Sequence, residues 1–246
     1  MGFREYFVDQ ADLADDLYER GFGINCYMIA TTALDALAEI WESDFPTDAA
    51  RLRGEFCGTV PGASRMSRLV RTFAGADRRT ALIAVIRFAE DAMRFAPGVA
   101  PAEVAALLAA RQPEERGTRP PAHKDVDITA LAQEAPTLLS NAAVRRLAEE
   151  YHYPGLLYGL YRCPMVHTFG WSKQAQGFAR GEEVSYMRLH PDSTSIGFGP
   201  RIVTNWLRAT LDGYLGHCSL AGIEPAKNFN PGRDQEQRLQ NRWSRV

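Results

Sequence analysis

Hydrophobic and polar positions alternate with helical spacing over most of the chain. From about Gly23 to Glu42, Tyr27, Ala30, Leu34, Leu37, Ala38 and Trp41 recur every three or four residues and predict an amphipathic helix. Ser43-Asp44-Phe45-Pro46 ends it, because Pro cannot continue a helix and constrains the residue before it. Before it, the acidic stretch Asp9–Arg20 reads as a short helix. Short helices follow over Asp48–Phe56 and from Ser64, a capping residue, to Phe73. Asp77 reads as the cap of a helix to Phe95 with Leu82, Val85, Ile86, Ala89 and Met93 inward; Pro101–Arg111 is helical by propensity.

The pattern fails over Gln112–Asp127, which holds three prolines, two of them adjacent, and almost no large apolar residue. It reads as a linker or loop, 112–126, between an N-terminal helical module, 1–111, and a second bundle, 127–225. In the second bundle Asp127 caps a helix to Glu134, and Pro136 opens one through Glu150 with Leu138, Leu139, Val144 and Leu147 inward. Residues 183–190 switch to a two-residue period, with turn residues at Pro191-Asp192-Ser193 and a second short run to Phe198. That predicts a β-hairpin. Pro200 then starts a last long helix to Cys218 with Val203, Trp206, Leu207, Leu211 and Tyr214 buried. The fold class expected is mainly α: a helical bundle with a small β-hairpin before the last long helix.

Composition narrows this little. Of 246 residues, 46% are hydrophobic and 24% charged, as in an ordinary globular protein, and the net charge of −2 gives no overall attraction to nucleic acid. No signal peptide or membrane-length apolar run is visible, so no membrane partner is expected. The four cysteines are scattered without a Cys-x-x-Cys pair; they fit free thiols and a cytoplasmic location. Arg65, Arg68 and Arg71, at spacing three, read as a solvated helix side or as a phosphate-facing strip. The segment 226–246 is basic, five positive side chains against two negative, and reads as a flexible tail that could assist binding of a polyanion.

The stretch Tyr158–Trp171 carries the chemistry. Arg162 and His167 flank Pro164, behind the apolar stripe Leu156, Leu157, Leu160 and Tyr161. A helix is expected to end near Tyr161 and restart at Pro164, or to bend there, so that both side chains are aimed into one cleft. The run Tyr-Arg-Cys-Pro-Met-Val-His-Thr-Phe-Gly resembles the Arg-x4–6-His motif of the HEPN family, small helical bundles of which many are dimeric, metal-independent endoribonucleases. The likeness is best from about Pro136 to Leu215. Cys163 stands where family members often carry Asn, Asp or His.

The resemblance implies RNA as partner, a homodimer through the motif helices, no metal or cofactor, and a toxin or phage-defence setting. It implies that Arg162 stabilises the phosphate and His167 handles a proton. Tyr158, Tyr161 and Trp171 would offer faces for bases, with Cys163 and Lys173 also at the substrate. An alternative is a catalytically inactive module of the same type that binds RNA, a nucleotide or a protein. On the residues alone, Arg162 could equally cap a helix end, His167 could be an ordinary half-buried histidine, and the aromatics could be core. A zinc site from Cys163, His167, His217 and Cys218 and a Cys163 nucleophile rank lower, since no sequence feature demands either geometry.

Overall fold

The computed structural model describes residues 2–55, 61–111, 122–168, 172–190 and 193–228. Among the described residues the protein is mainly α, with one two-stranded antiparallel sheet ahead of the last long helix. Three long helices frame it: α1 (Phe3–Glu19), α2 (Gly23–Asp44) and, at the far end of the sequence, α12 (Pro200–Ala221). Helix α2 buries Tyr27, Leu34, Leu37, Ala38 and Trp41 and α12 buries Val203, Trp206, Leu207, Leu211 and Tyr214, the stripes their periodicity predicts. Pro200 opens α12 at its first turn and Gly222, at φ 66°, closes it in the left-handed conformation that glycine adopts without strain.

Between them lie α3 (Pro46–Glu55), α4 (Pro61–Phe73), α5 (Val85–Phe95) and α6 (Pro101–Ala110). Helix α5 is shorter than expected. Asp77 caps a 3-10 turn over Arg78–Ala81, accepting from the Arg79 N–H at 3.0 Å, and its other oxygen accepts from the Trp206 indole. The backbone then extends, and Ile83 bridges to Val126 and to His152 before α5 begins. Met93, expected inward, is exposed.

The stretches set apart in the sequence, 1–111 and 127–225, share one hydrophobic core that runs from Phe7 to Cys218. The chain crosses back and forth through it, so 112–126 does not separate two cores; residues 112–121 themselves lie outside the described residues. Beyond that gap come α7 (Ile128–Glu134), α8 (Pro136–Ser140) and α9 (Ala142–Glu150). Asp127 caps α7 as predicted, accepting from Thr129 and Ala130 N–H groups. The single helix expected over 136–150 is two, because Asn141 leaves the helical conformation and caps α9 through Ala143 and Val144.

The motif helix follows as one continuous run: α10 (Tyr153–Leu157), a π-helical turn (Tyr158–Arg162) and α11 (Cys163–Thr168). The hairpin is β1 (Val184–His190) paired with β2 (Ser193–Phe198), in register Val184 with Phe198 and Tyr186 with Ile196. Its expected turn residues Pro191 and Asp192 are outside the described residues. Tyr186, Ile196 and Phe198 bury one face against the bundle.

One carboxylate ties several of these pieces. Asp125 is buried; its Oδ1 accepts from the Val85 N–H at 3.0 Å, and its Oδ2 accepts from Tyr153 at 2.6 Å and Tyr186 at 2.5 Å. It thereby joins the start of α5, the start of α10 and the hairpin. Burial raises its pKa from 3.8 to about 6, against the lowering effect of those hydrogen bonds.

Candidate functional site

Pro164 sets the local geometry of the motif. It has no N–H to give to the Leu160 carbonyl four residues back. The helix does not break there. Instead it widens: the Cys163 N–H reaches five residues back to the Tyr158 carbonyl, the π pattern. The carbonyl that Pro164 leaves unused is taken by the Ser172 N–H at 3.0 Å. The predicted interruption therefore becomes a π turn within one unbroken helix. Such turns are frequent at functional sites.

The turn directs Arg162 onto α2. Its Nη2 lies 2.7 Å from Oδ2 of Asp35, which is itself buried. The guanidinium carbon stands 5.3 Å from the ring centroid of Tyr158, a cation–π distance. The other Asp35 oxygen accepts from Arg65 of α4 at 2.8 Å, and Arg65 also meets Glu39 at 2.9 Å. Burial works against the charge on Arg65, but the Asp35 bond and the neighbouring carboxylates outweigh it and hold its pKa above the ordinary value. The Tyr158 hydroxyl is raised too, first by burial and then by the Asp35 charge. The Nε of Arg162 is buried without a hydrogen-bond partner among the described residues.

The arginine series on α4 is thus neither a solvated side nor a phosphate strip. Arg65 meets Asp35 and Glu39, Arg68 meets Glu42 and Ser64, and Arg71 meets Glu149 at 3.2 Å. The acids on α2 fall at spacings four and three, matching the spacing of three between the arginines, so the two helices pair along facing charged edges. Asp35 is the residue that sequence reasoning missed. The available signal was a lone carboxylate inside the apolar run Ala33-Leu34-Asp35-Ala36-Leu37, where burial demands a partner.

His167 lies on α11 and is exposed. Among the described residues no hydrogen bond or ion pair links it to Arg162. Arg162 and Tyr158 face α2 and α4, whereas His167 faces water. Tyr161 is a correction: it is fully buried, and its hydroxyl donates to the Gln176 carbonyl at 2.8 Å and the Ile196 carbonyl at 3.2 Å. It anchors the hairpin and has no face for a base. Tyr158 is half-buried, and Gly62 of α4 approaches its hydroxyl so closely that a Cβ there would collide with the ring. Cys163 is half-buried and unpaired with another cysteine, and Lys173 is exposed. Trp171 lies outside the described residues.

The remaining histidines of the motif's competitors are engaged elsewhere. His217 lies 3.1 Å from the Asp48 carboxylate and stacks near Phe45. His152 is buried against Glu149 at 3.0 Å. Among the described residues no group of three or more His, Cys, Asp or Glu is placed to hold a metal ion, and no helix is long and apolar enough to cross a membrane.

Met165, between Arg162 and His167, is buried and forms one wall of a cavity of 380 Å³ with Tyr6 and Gln10 of α1 and Met28, Ile29, Thr32, Ala33 and Ala36 of α2. No family model matches the chain, and neither a curated protein nor a solved structure matches it.

Proposed function

We propose that the protein is a metal-independent endoribonuclease of the HEPN type, acting in the cytoplasm as a homodimer through its motif helices, in a toxin or phage-defence setting. The observation that carries the reading is the posture of Arg162: a guanidinium oriented by Asp35 and by the Tyr158 ring, on the same short helical run as a solvent-facing His167. An arginine fixed by a carboxylate behind it presents its remaining N–H groups without further loss of side-chain freedom.

The reaction needs few parts. The ribose 2′-oxygen attacks its own phosphorus and gives up its proton. The bond from phosphorus to the 5′-oxygen breaks, and that oxygen takes up a proton. The products are a 2′,3′-cyclic phosphate and a 5′-hydroxyl. His167 serves as proton carrier, the partner copy of the same histidine completes the pair, and Arg162 offsets charge on the crowded phosphate. Replacing Arg162 or His167 by Ala is expected to lower RNA cleavage in EDTA by about 10² to 10⁴-fold. Unchanged cleavage by both variants rejects these roles.

A second reading, an inactive binding module of the same type, is favoured by the pairing of one buried carboxylate with both Arg162 and Arg65, since such a clasp consumes charge that a phosphate would otherwise meet. In that case wild-type protein binds single-stranded RNA without cutting it, with an affinity that falls as salt rises.

A further inference from the structure

Two of the aromatic faces expected to meet bases are engaged. Tyr161 is buried, and the Tyr158 ring lies against Gly62 and under Arg162. The motif helix nevertheless opens onto unfilled space. Met165, three positions after Arg162, lines the 380 Å³ cavity against α1 and α2. Residues three apart on a helix are neighbours, with Cβ atoms roughly 5–6 Å apart. The cavity therefore begins one side chain away from the guanidinium.

The lining sorts by chemistry. Ala33 and Met165 are buried, and Met28 and Ile29, half-buried, extend their apolar surface. Three neutral polar groups join them: the Tyr6 hydroxyl, the Gln10 amide and the Thr32 hydroxyl. Tyr6 and Thr32 are exposed and Gln10 is half-buried. Among the described residues none of these three polar groups has a hydrogen-bond partner. None of the described lining residues is charged, so an ion would lose water there without gaining a counter-charge.

The size falls within the range of about 300–1,000 Å³ common to small-molecule sites. The occupant that fits is neutral, largely apolar on its faces, and able to donate and accept along one edge. A nucleobase has that chemistry, and an RNA strand carries it within reach of the phosphate that Arg162 would meet. Tyr6, 46% exposed, offers a ring for stacking. The thioethers of Met28 and Met165 suit contact with an aromatic ring. The Gln10 amide matches adenine: its N–H donates to N7 and its carbonyl accepts from the N6 amino group.

We propose that this cavity is a subsite for an unpaired adenine next to the cleaved phosphate, with Gln10 reading the base edge and Tyr6 stacking on its face. The proposal rests on the nuclease reading for the RNA that brings the base.

The test separates the two by using adenosine alone, titrated into full-length protein and followed by NMR. Wild type is expected to bind it saturably. Gln10→Leu, which removes the edge contact, and Ala36→Leu, which puts bulk into the cavity, are each expected to weaken binding about tenfold or more, with circular dichroism unchanged. His167→Ala, on the exposed side of the motif helix, should bind adenosine like wild type. Purine riboside lacks the amino group and should bind wild type about tenfold more weakly. No saturable binding by wild type, equal binding of purine riboside, or indifference to both Gln10→Leu and Ala36→Leu overturns the proposal. Adenosine binding that depends on Gln10 in a protein that cuts no RNA upholds the pocket and rejects the nuclease reading instead.

Discussion

Asp35 and Arg162 join the second helix to the motif helix through a 2.7 Å ion pair. The carboxylate is buried and shared with Arg65. The pair makes the candidate site a structural joint as well, and it separates what each motif residue should do when removed.

Replacing Asp35 with Ala strands the partly buried Arg162 guanidinium and leaves Arg65 with Glu39 alone. Loss of one partner from a buried pair typically costs about 3–5 kcal/mol. Urea denaturation should show a loss of this order. A loss below about 1 kcal/mol, the level of an exposed pair, would show that water already shields the joint.

Arg162→Ala and His167→Ala should differ in stability. The first removes a hydrogen bond to a charged buried group, worth about 1.5–3 kcal/mol. The second alters an exposed side chain and should stay within about 0.5 kcal/mol. Equal losses would mean that His167 has a structural contact comparable to that of Arg162. The cleavage assay of either variant is read at matched folded fraction.

Gly62→Ala forces the Tyr158 ring off α4 and takes the platform from under Arg162. Overpacking of this kind costs about 1–3 kcal/mol. With Tyr158→Ala already in place the same substitution should cost much less. A double-mutant cycle reads this coupling, and strict additivity would refute the contact.

How much of this was legible in the sequence depends on how local each signal is. Helices α2 and α12 and the hairpin follow from periodicity, and the Asp127 cap from residue type. The split at Asn141 was missed because its neighbours keep helical spacing on both sides. The extended Ile83 was missed because its partners, Val126 and His152, are distant in sequence. Arg65, Arg68 and Arg71 were read outward since charge alone suggests water; their partners stand on another helix. Pro164 did mark the site, but whether the helix broke or widened was decided by Ser172, whose N–H takes the carbonyl left over. Tyr161 fits the apolar stripe, and burial rather than stacking is what that stripe delivers.

Stability should carry a pH signature from Asp125. Its carboxyl is raised from 3.8 to about 6 on folding, chiefly by burial. The native state thus holds this proton more tightly than the unfolded chain. The contribution is fully present below the unfolded value and is lost as pH rises through about 6, a change of about 3 kcal/mol. Asp125→Asn cannot titrate. The difference in unfolding free energy between wild type and variant should therefore drift over about pH 4 to 7 and level off above it. A constant difference across that range would contradict the assignment.

The same aspartate has a consequence for the order in which the molecule is completed. Its partners Val85, Tyr153 and Tyr186 lie 40, 28 and 61 positions away along the chain. On a ribosome the carboxylate emerges well before two of its three donors. Until the first strand of the hairpin has been synthesised, the interior around it is unfinished, and a nascent chain stopped short of Tyr186 leaves an acid facing an apolar gap. The small sheet, though a minor part of the mass, acts as the closing stitch of the fold.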